Sequence, residues 1–290
     1  MKLILTFSLL LSLNSIAREI KVHGHRGARW DRPENTLAAF DYALEVGVDV
    51  LEMDLSVTSD GILVLSHDPY IDPKICLAKN GERLEKPIPV RTLTLKQVKE
   101  FDCGSLVNPR FKDQVLSPGE KIPTFKEVLE FIRNSKHKSA KTVEINVETK
   151  LIPSKRDLTP TPKVFAELIA KELQQAKFTA RTIVQSFDVR TLKQIKSLDS
   201  RIRVSQLTYQ SMVDLVGAIK GIKGEYSSPN LHWINKEMVD SLHKNGIKVA
   251  PWTANKKKDW DYLISIGVDE IITDRPKELL EYLRMKKLHL

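Results

Sequence analysis

Nowhere in its 290 residues does the chain carry a GxGxxG turn, so a doubly wound dinucleotide-type sheet has no phosphate-binding fingerprint behind it. Its 46 Lys and Arg residues outnumber 37 Asp and Glu, for a net charge of +9. Yet basic clusters such as Lys256-Lys257-Lys258 and Lys286-Lys287 have no aromatic residues interleaved with them. That pattern argues against a nucleic-acid surface and for a solvated basic face, which can still draw in anionic small molecules. The apolar run at the N-terminus, Leu3 to Leu13, is broken by Thr6, Ser8 and Ser12 and is too short to span a bilayer stably. Cysteine is scarce: Cys76 and Cys103 are the only two, either a disulfide in an oxidising compartment or two buried thiols, and spacing does not choose.

That N-terminal run has the layout of a secretory signal peptide. Lys2 gives it a positive start, and Ser15 and Ala17 place small residues at −3 and −1 of a cut after Ala17. Residues 1–17 are therefore expected to be removed, leaving an exported (periplasmic or secreted) protein that begins near Arg18. No Cys follows the cut, so no lipid anchor is suggested and no stable membrane insertion is expected after removal. Hydrophobic content of 41% and charged content of 29% are ordinary for a globular chain, and residues 18–290 suit one large domain.

Past the signal, strand-like and helix-like segments alternate. Ile20 to Val22 leads into His23-Gly24-His25, and Asn35 to Val46 has helical spacing with Leu37, Phe40, Ala43 and Leu44 on one face. Val48 to Val57 and Ile62 to Leu65 read as a hairpin about the Asp60-Gly61 turn. From about 69 to 121 the pattern dissolves into Pro, Gly and charged residues, an insertion of the size used for lids or accessory subdomains. Thr124 and Glu127 then signal a helix start. The second half is rhythmic: strands at Thr142 to Val147, Thr182 to Gln185, Arg203 to Leu207, Glu225 to Ser227, Lys248 to Trp252 and Glu270 to Thr273, each with a helix after it. Repeated β-then-α units imply parallel strands and right-handed crossovers, and eight of them make a TIM (β/α)8 barrel, with a doubly wound sheet as the alternative.

Catalytic groups of such a barrel sit at the C-terminal ends of strands, and the out-of-place polar residues fall there. His25-Arg26-Gly27 closes the first strand with a proton-transfer group, a cation shaped to hold phosphate, and a residue that permits close backbone approach. Glu52 and Asp54 are two apart on a strand, so their carboxylates share one face. Two buried carboxylates repel each other unless a cation lies between them, and oxygen ligands suit Ca²⁺ or Mg²⁺. His67, with His25, gives the two proton-transfer groups that phosphodiester cleavage needs. Glu148 is the candidate third metal ligand, with Glu144 as its rival, and Lys150 adds a second cation.

In order, His25-Arg26-Gly27, Pro33-Glu34-Asn35-Thr36, Glu52-Met53-Asp54, Asp60-Gly61 and His67-Asp68 closely resemble the glycerophosphodiester phosphodiesterase family. So do Asn146 to Lys150, Gln185 to Asp188, Trp252 to Asn255 and Thr273 to Pro276, where Thr149 stands in a motif that usually reads Glu-Ile-Lys. The resemblance implies a TIM-barrel enzyme that hydrolyses small glycerophosphodiesters to glycerol 3-phosphate and an alcohol. It implies His25 and His67 as the acid–base pair, and Glu52, Asp54 and Glu148 as ligands of a divalent metal. Arg26 and Lys150 would touch phosphate, Trp252 would wall the pocket, Glu34 and Asn35 would shape the site with Asn35 as helix cap, and the insertion would cover the glycerol end. The alternative within the same site is phospholipase D-like cleavage of lysophospholipids or sphingolipids; a barrel that merely binds phosphorylated ligands would not need both histidines and three acids.

Overall fold

A computed structural model describes residues 19–290, so the signal peptide expected at 1–17 lies outside the described residues. Strands β1 (Lys21–Gly24) and β2 (Val50–Val57) come first, and β3 (Leu63–Leu65) folds back on β2. Then β4 (Tyr70–Ile71) and β5 (Ile88–Pro89) pair with each other. The remaining strands are β6 (Glu144–Thr149), β7 (Thr182–Ser186), β8 (Arg203–Thr208), β9 (Tyr226–Pro229), β10 (Lys248–Val249) and β11 (Glu270–Thr273). Eight of these run parallel in the order β10-β9-β8-β7-β6-β2-β1-β11, with β3 off the path. The ends meet: Asp269 and Ile272 donate N–H groups to the Val249 and Pro251 carbonyls at 3.1 and 3.0 Å, and Ala254 donates to Ile272 at 3.0 Å. This is the expected TIM barrel. Regular pairing in β10 stops before Pro251, which has no N–H to give, although Ala250 and Trp252 still donate to Ser227 and Pro229 on β9.

The helices are α1 (Leu37–Val46), α2 (Leu95–Val98), α3 (Phe125–Asn134), α4 (Pro162–Ala176), α5 (Val189–Leu198), α6 (Leu215–Gly221), α7 (Lys236–Lys244), α8 (Lys257–Ile266) and α9 (Pro276–Met285). Short polar side chains start several of them. Thr124 and Glu127 form a reciprocal capping box on α3, and Asp188, Asp214 and Asn235 accept backbone N–H groups at the starts of α5, α6 and α7. One expectation is corrected here. Asn35 does not cap α1; Thr36 does, accepting the Ala39 N–H, while Asn35 adopts a left-handed φ of 56° and turns toward Asp54. Among the described residues no helix is long and apolar enough to cross a membrane.

Alternation along each strand separates two interiors. Leu51, Met53 and Leu55 of β2 and Ile145 and Val147 of β6 join the apolar layer under the helices, with Phe40, Phe125, Phe165 and Trp260. Glu52, Asp54, Asn146 and Glu148 lie on the opposite faces and are buried. Between β3 and α3 the chain leaves the barrel and builds an accessory unit from β4, β5 and α2 around Val64, Ile71, Val90, Val98, Phe101 and Ile122. The cysteine question resolves as a disulfide: Cys76 and Cys103 are bonded, 27 positions apart. A cross-link of that span stabilises by about 3–4 kcal/mol through the entropy it removes from the unfolded chain.

Candidate active site

Register brings the acids together. β2 and β6 run side by side with Glu52 opposite Asn146 and Asp54 opposite Glu148. Glu52, Asp54 and Glu148 each offer an oxygen, and these lie within 4.8 Å of one another. Glu144, the rival ligand, sits at the start of β6 and is held by Lys21 and Arg203, each at 3.1 Å. Four residues along a strand is about 13 Å, and the trio excludes it.

The loop after β1 folds onto this cluster. Arg26 takes a left-handed φ of 52°, which aims its backbone N–H at Glu52 Oε2, 2.8 Å away. Its guanidinium meets Glu34 at 2.6 Å and Asp54 at 3.1 Å. Gly27 follows at φ 86°, where an added Cβ would meet the Ala39 Cβ at 2.7 Å. The close approach that glycine permits is therefore the packing of α1 against the loop. Asn35 donates from Nδ2 to Asp54 Oδ2 at 2.9 Å and accepts the Asp54 N–H at 3.2 Å. Lys150 Nζ lies 2.5 Å from Glu148 Oε1 and 3.0 Å from Asp54 Oδ1, but the latter oxygen is buried with no aligned hydrogen-bond donor.

His25 is buried, and its Nδ1 lies 2.6 Å from Asp274 Oδ1. Its Nε2 is 3.8 Å from Glu52 Oε2. Burial, then the Arg29 charge, lowers the His25 pKa to about 4 against the pull of Asp274. Burial also works against the Asp274 carboxylate, but His25 and Arg29 overcome it and hold its pKa well below the usual range. His67 is not on a strand: it follows β3 in a loop, partly exposed, with Nδ1 3.3 Å from Asp68. Even so it lines the same cleft as His25, Arg26, Glu148, Lys150 and Trp252. On its other side His67 borders a pocket under the accessory unit with Glu34, Ser66, Asp72 and the disulfide.

The residue-by-residue reading missed several contributors. Gln185 on β7 donates to Glu52 Oε1 at 3.0 Å. Asp274 orients His25, Arg29 grips Asp274 at 2.6 Å, and Arg110 reaches the cleft from the accessory unit. Gln185 and Asp274 had a usable signal, being polar at the ends of apolar strands. Arg29 and Arg110 had none.

Charge decides what the cluster can hold. Glu34, Glu52, Asp54, Glu148 and Asp274 face three fixed cations, Arg26, Arg29 and Lys150. Fully ionised, these eight groups carry two negative charges in excess, before Arg110 at the cleft is counted. The surplus falls on Glu52: burial, Asp54 and Glu148 push its pKa well above the usual carboxylate range, and burial raises Glu148 as well. Asp54 goes the other way, because Lys150 and Arg26 outweigh its burial. An all-oxygen donor set, one of whose carboxylate oxygens accepts no hydrogen bond, fits a hard ion.

The profile of the glycerophosphoryl diester phosphodiesterase family matches residues 25–278. A glycerophosphodiester phosphodiesterase of Caldanaerobacter subterraneus is 32% identical over 263 residues, 91% of this chain and 97% of that protein. A Bacillus subtilis protein of the same name is 29% identical over 87% of this chain and 82% of its own. A crystal structure from Silicibacter pomeroyi DSS-3, described under the same family, superimposes with a TM-score of 0.86 at 25% identity, covering 94% of this chain and 95% of that one. An Oleispira antarctica phosphodiesterase solved with the product sn-glycerol-3-phosphate shares the fold at 20% identity and a TM-score of 0.74, covering 91% and 96%. The chain belongs to the glycerophosphoryl diester phosphodiesterase family.

Proposed function

We propose that the cleft hydrolyses small glycerophosphodiesters to glycerol 3-phosphate and an alcohol, with Glu52, Asp54 and Glu148 holding a divalent cation, Ca²⁺ or Mg²⁺. The observation that carries this reading is the convergence of both histidines, an acid of the trio and Lys150 on one cleft. The bound ion would neutralise charge on the nonbridging phosphate oxygens. Lys150, Arg26 and Arg29 supply the protein's own cations at that position, and Trp252 walls the cleft.

His25 is the proton acceptor. Asp274 fixes its Nδ1 side, Nε2 makes no hydrogen bond and lies 3.8 Å from Glu52 Oε2, and its lowered pKa keeps the ring neutral at physiological pH. In the first step the substrate's glycerol 2-hydroxyl loses its proton to His25 and bonds to phosphorus. The P–O bond to the alcohol breaks, and His67 protonates the departing oxygen. In the second, water gives its proton to His67 and opens the cyclic phosphate, while His25 returns the first proton to the 2-oxygen. The basic net charge supports capture of an anionic substrate, and the N-terminal signal pattern supports export.

The test is an assay of chelator-stripped protein on glycerophosphocholine and lysophosphatidylcholine, with Ca²⁺ and Mg²⁺ restored separately. Release of glycerol 3-phosphate only after metal return is the expected result. Full activity without metal would remove the ion from the mechanism, and preferential cleavage of lysophosphatidylcholine would favour the phospholipase D-like reading.

A further inference from the structure

Of the twelve large apolar side chains exposed among the described residues, five sit on neighbouring loops at the mouth of the barrel. On the loops after β7, β8 and β9, Phe187, Tyr209, Met212, Val213 and Trp233 are 49%, 63%, 40%, 110% and 47% exposed. These strands and β10 are consecutive in the barrel, so their loops form one arc. Contacts join it: Phe187 and Tyr209 pack on Trp252 with ring centroids 5.8 and 6.0 Å away, and Asn230, at the start of the Trp233 turn, bridges to Trp252. Phe187 and Trp252 wall the cleft. Tyr209, Met212, Val213 and Trp233 do not line it, so the substrate leaves their exposure unexplained. Apolar side chains exposed side by side along one arc mark an interaction surface.

Charge narrows the partner. Just past Trp252, Lys256, Lys257 and Lys258 are exposed, and none meets a carboxylate among the described residues. A two-fold pairing of copies through this arc would set its unpaired lysines near their like. Tyr and Trp are the side chains that settle at the headgroup level of a bilayer, and lysines beside them bind anionic lipid.

We propose that this rim docks on the surface of an anionic phospholipid bilayer, with Met212, Val213 and Trp233 entering the headgroup region and Lys256 to Lys258 meeting lipid phosphates. The cleft then opens toward the surface where deacylation of phospholipids leaves glycerophosphodiesters. Docking does not depend on the catalytic reading, and binding tests it without turnover.

The full chain is floated with vesicles of phosphatidylcholine alone or with phosphatidylglycerol. Wild type is compared with Met212→Ser/Val213→Ser and with Lys257→Glu/Lys258→Glu, which share its N-terminal segment. Binding to the anionic vesicles is expected, with roughly tenfold weaker association for each pair of changes and unchanged rates on dissolved glycerophosphocholine. Brominated lipid should quench wild type more than Trp233→Phe. Equal binding by all three proteins, equal quenching, or a dimer in solution that Val213→Ser disperses would each overturn the proposal.

Discussion

At the N-terminal end of the barrel interior Glu270 is matched from within: His23 Nε2 lies 2.5 Å from one oxygen and the Tyr226 hydroxyl donates to the other at 3.0 Å. Despite burial, those partners hold its pKa below the usual range. At the other end Glu52 is equally buried and also accepts two protein hydrogen bonds, yet its pKa is driven up by burial and by Asp54 and Glu148. Asn146 and Gln185 stand between the two, Asn146 donating to Gln185 Oε1 at 2.9 Å and Gln185 to Glu52. The same residue type in the same barrel thus serves two ends. A carboxylate matched inside the protein contributes to the fold, whereas one crowded by its own kind is costly to ionise without a cation beside it.

That contrast can be broken in graded ways. The largest effect is expected from His25→Ala, which should lower kcat by about 10³-fold or more with an unchanged circular dichroism spectrum; retained turnover would end the acid–base assignment. At the matched end, His23→Leu leaves Glu270 without its closest partner and should cost about 3 kcal/mol in urea unfolding; a loss of activity in the folded variant would mean that end is catalytic too.

Glu52→Gln should act in reverse, stabilising the metal-free protein by about 1–2 kcal/mol at neutral pH while abolishing stabilisation by added Ca²⁺ or Mg²⁺. The sign follows from the raised pKa: Glu52 favours folding when protonated, and that contribution is lost as pH rises through the elevated value. The difference from wild type should widen with increasing pH and vanish below the unfolded carboxyl range. The smallest effect is expected from Arg29→Gln. Arg29 helps to hold His25 near 4, so its removal should move the acidic limb of the kcat/KM profile upward, by roughly half a unit to one unit; a downward move would contradict the electrostatic account.

Much of this was legible in the sequence because it was local. Two-residue spacing placed Glu52 and Asp54 on one face, β-then-α rhythm gave the barrel, and the Asp60-Gly61 turn gave the β2–β3 hairpin. What escaped depends on partners distant in the chain. Asn35 read as a cap because Asn caps helices, but Asp54 draws it away and Thr36 takes the place. Strand-end position favoured Glu148, but spacing could not exclude Glu144 until β6 had neighbours, when Lys21 and Arg203 claimed it. Arg110 and the Cys76–Cys103 bond belong to a segment without periodicity, so nothing in its pattern announced either.

The barrel's closure has a mechanical consequence. Where β2 and β6 share a six-residue register, the joint between the β10 and β11 segments has three backbone bonds and a proline in its path. A ring fails first at its thinnest weld. Amide deuteration should therefore enter at Ala254 and Ile272 well before Met53 or Val147, and it is across this weld that Trp252 and Asp274 must keep their alignment.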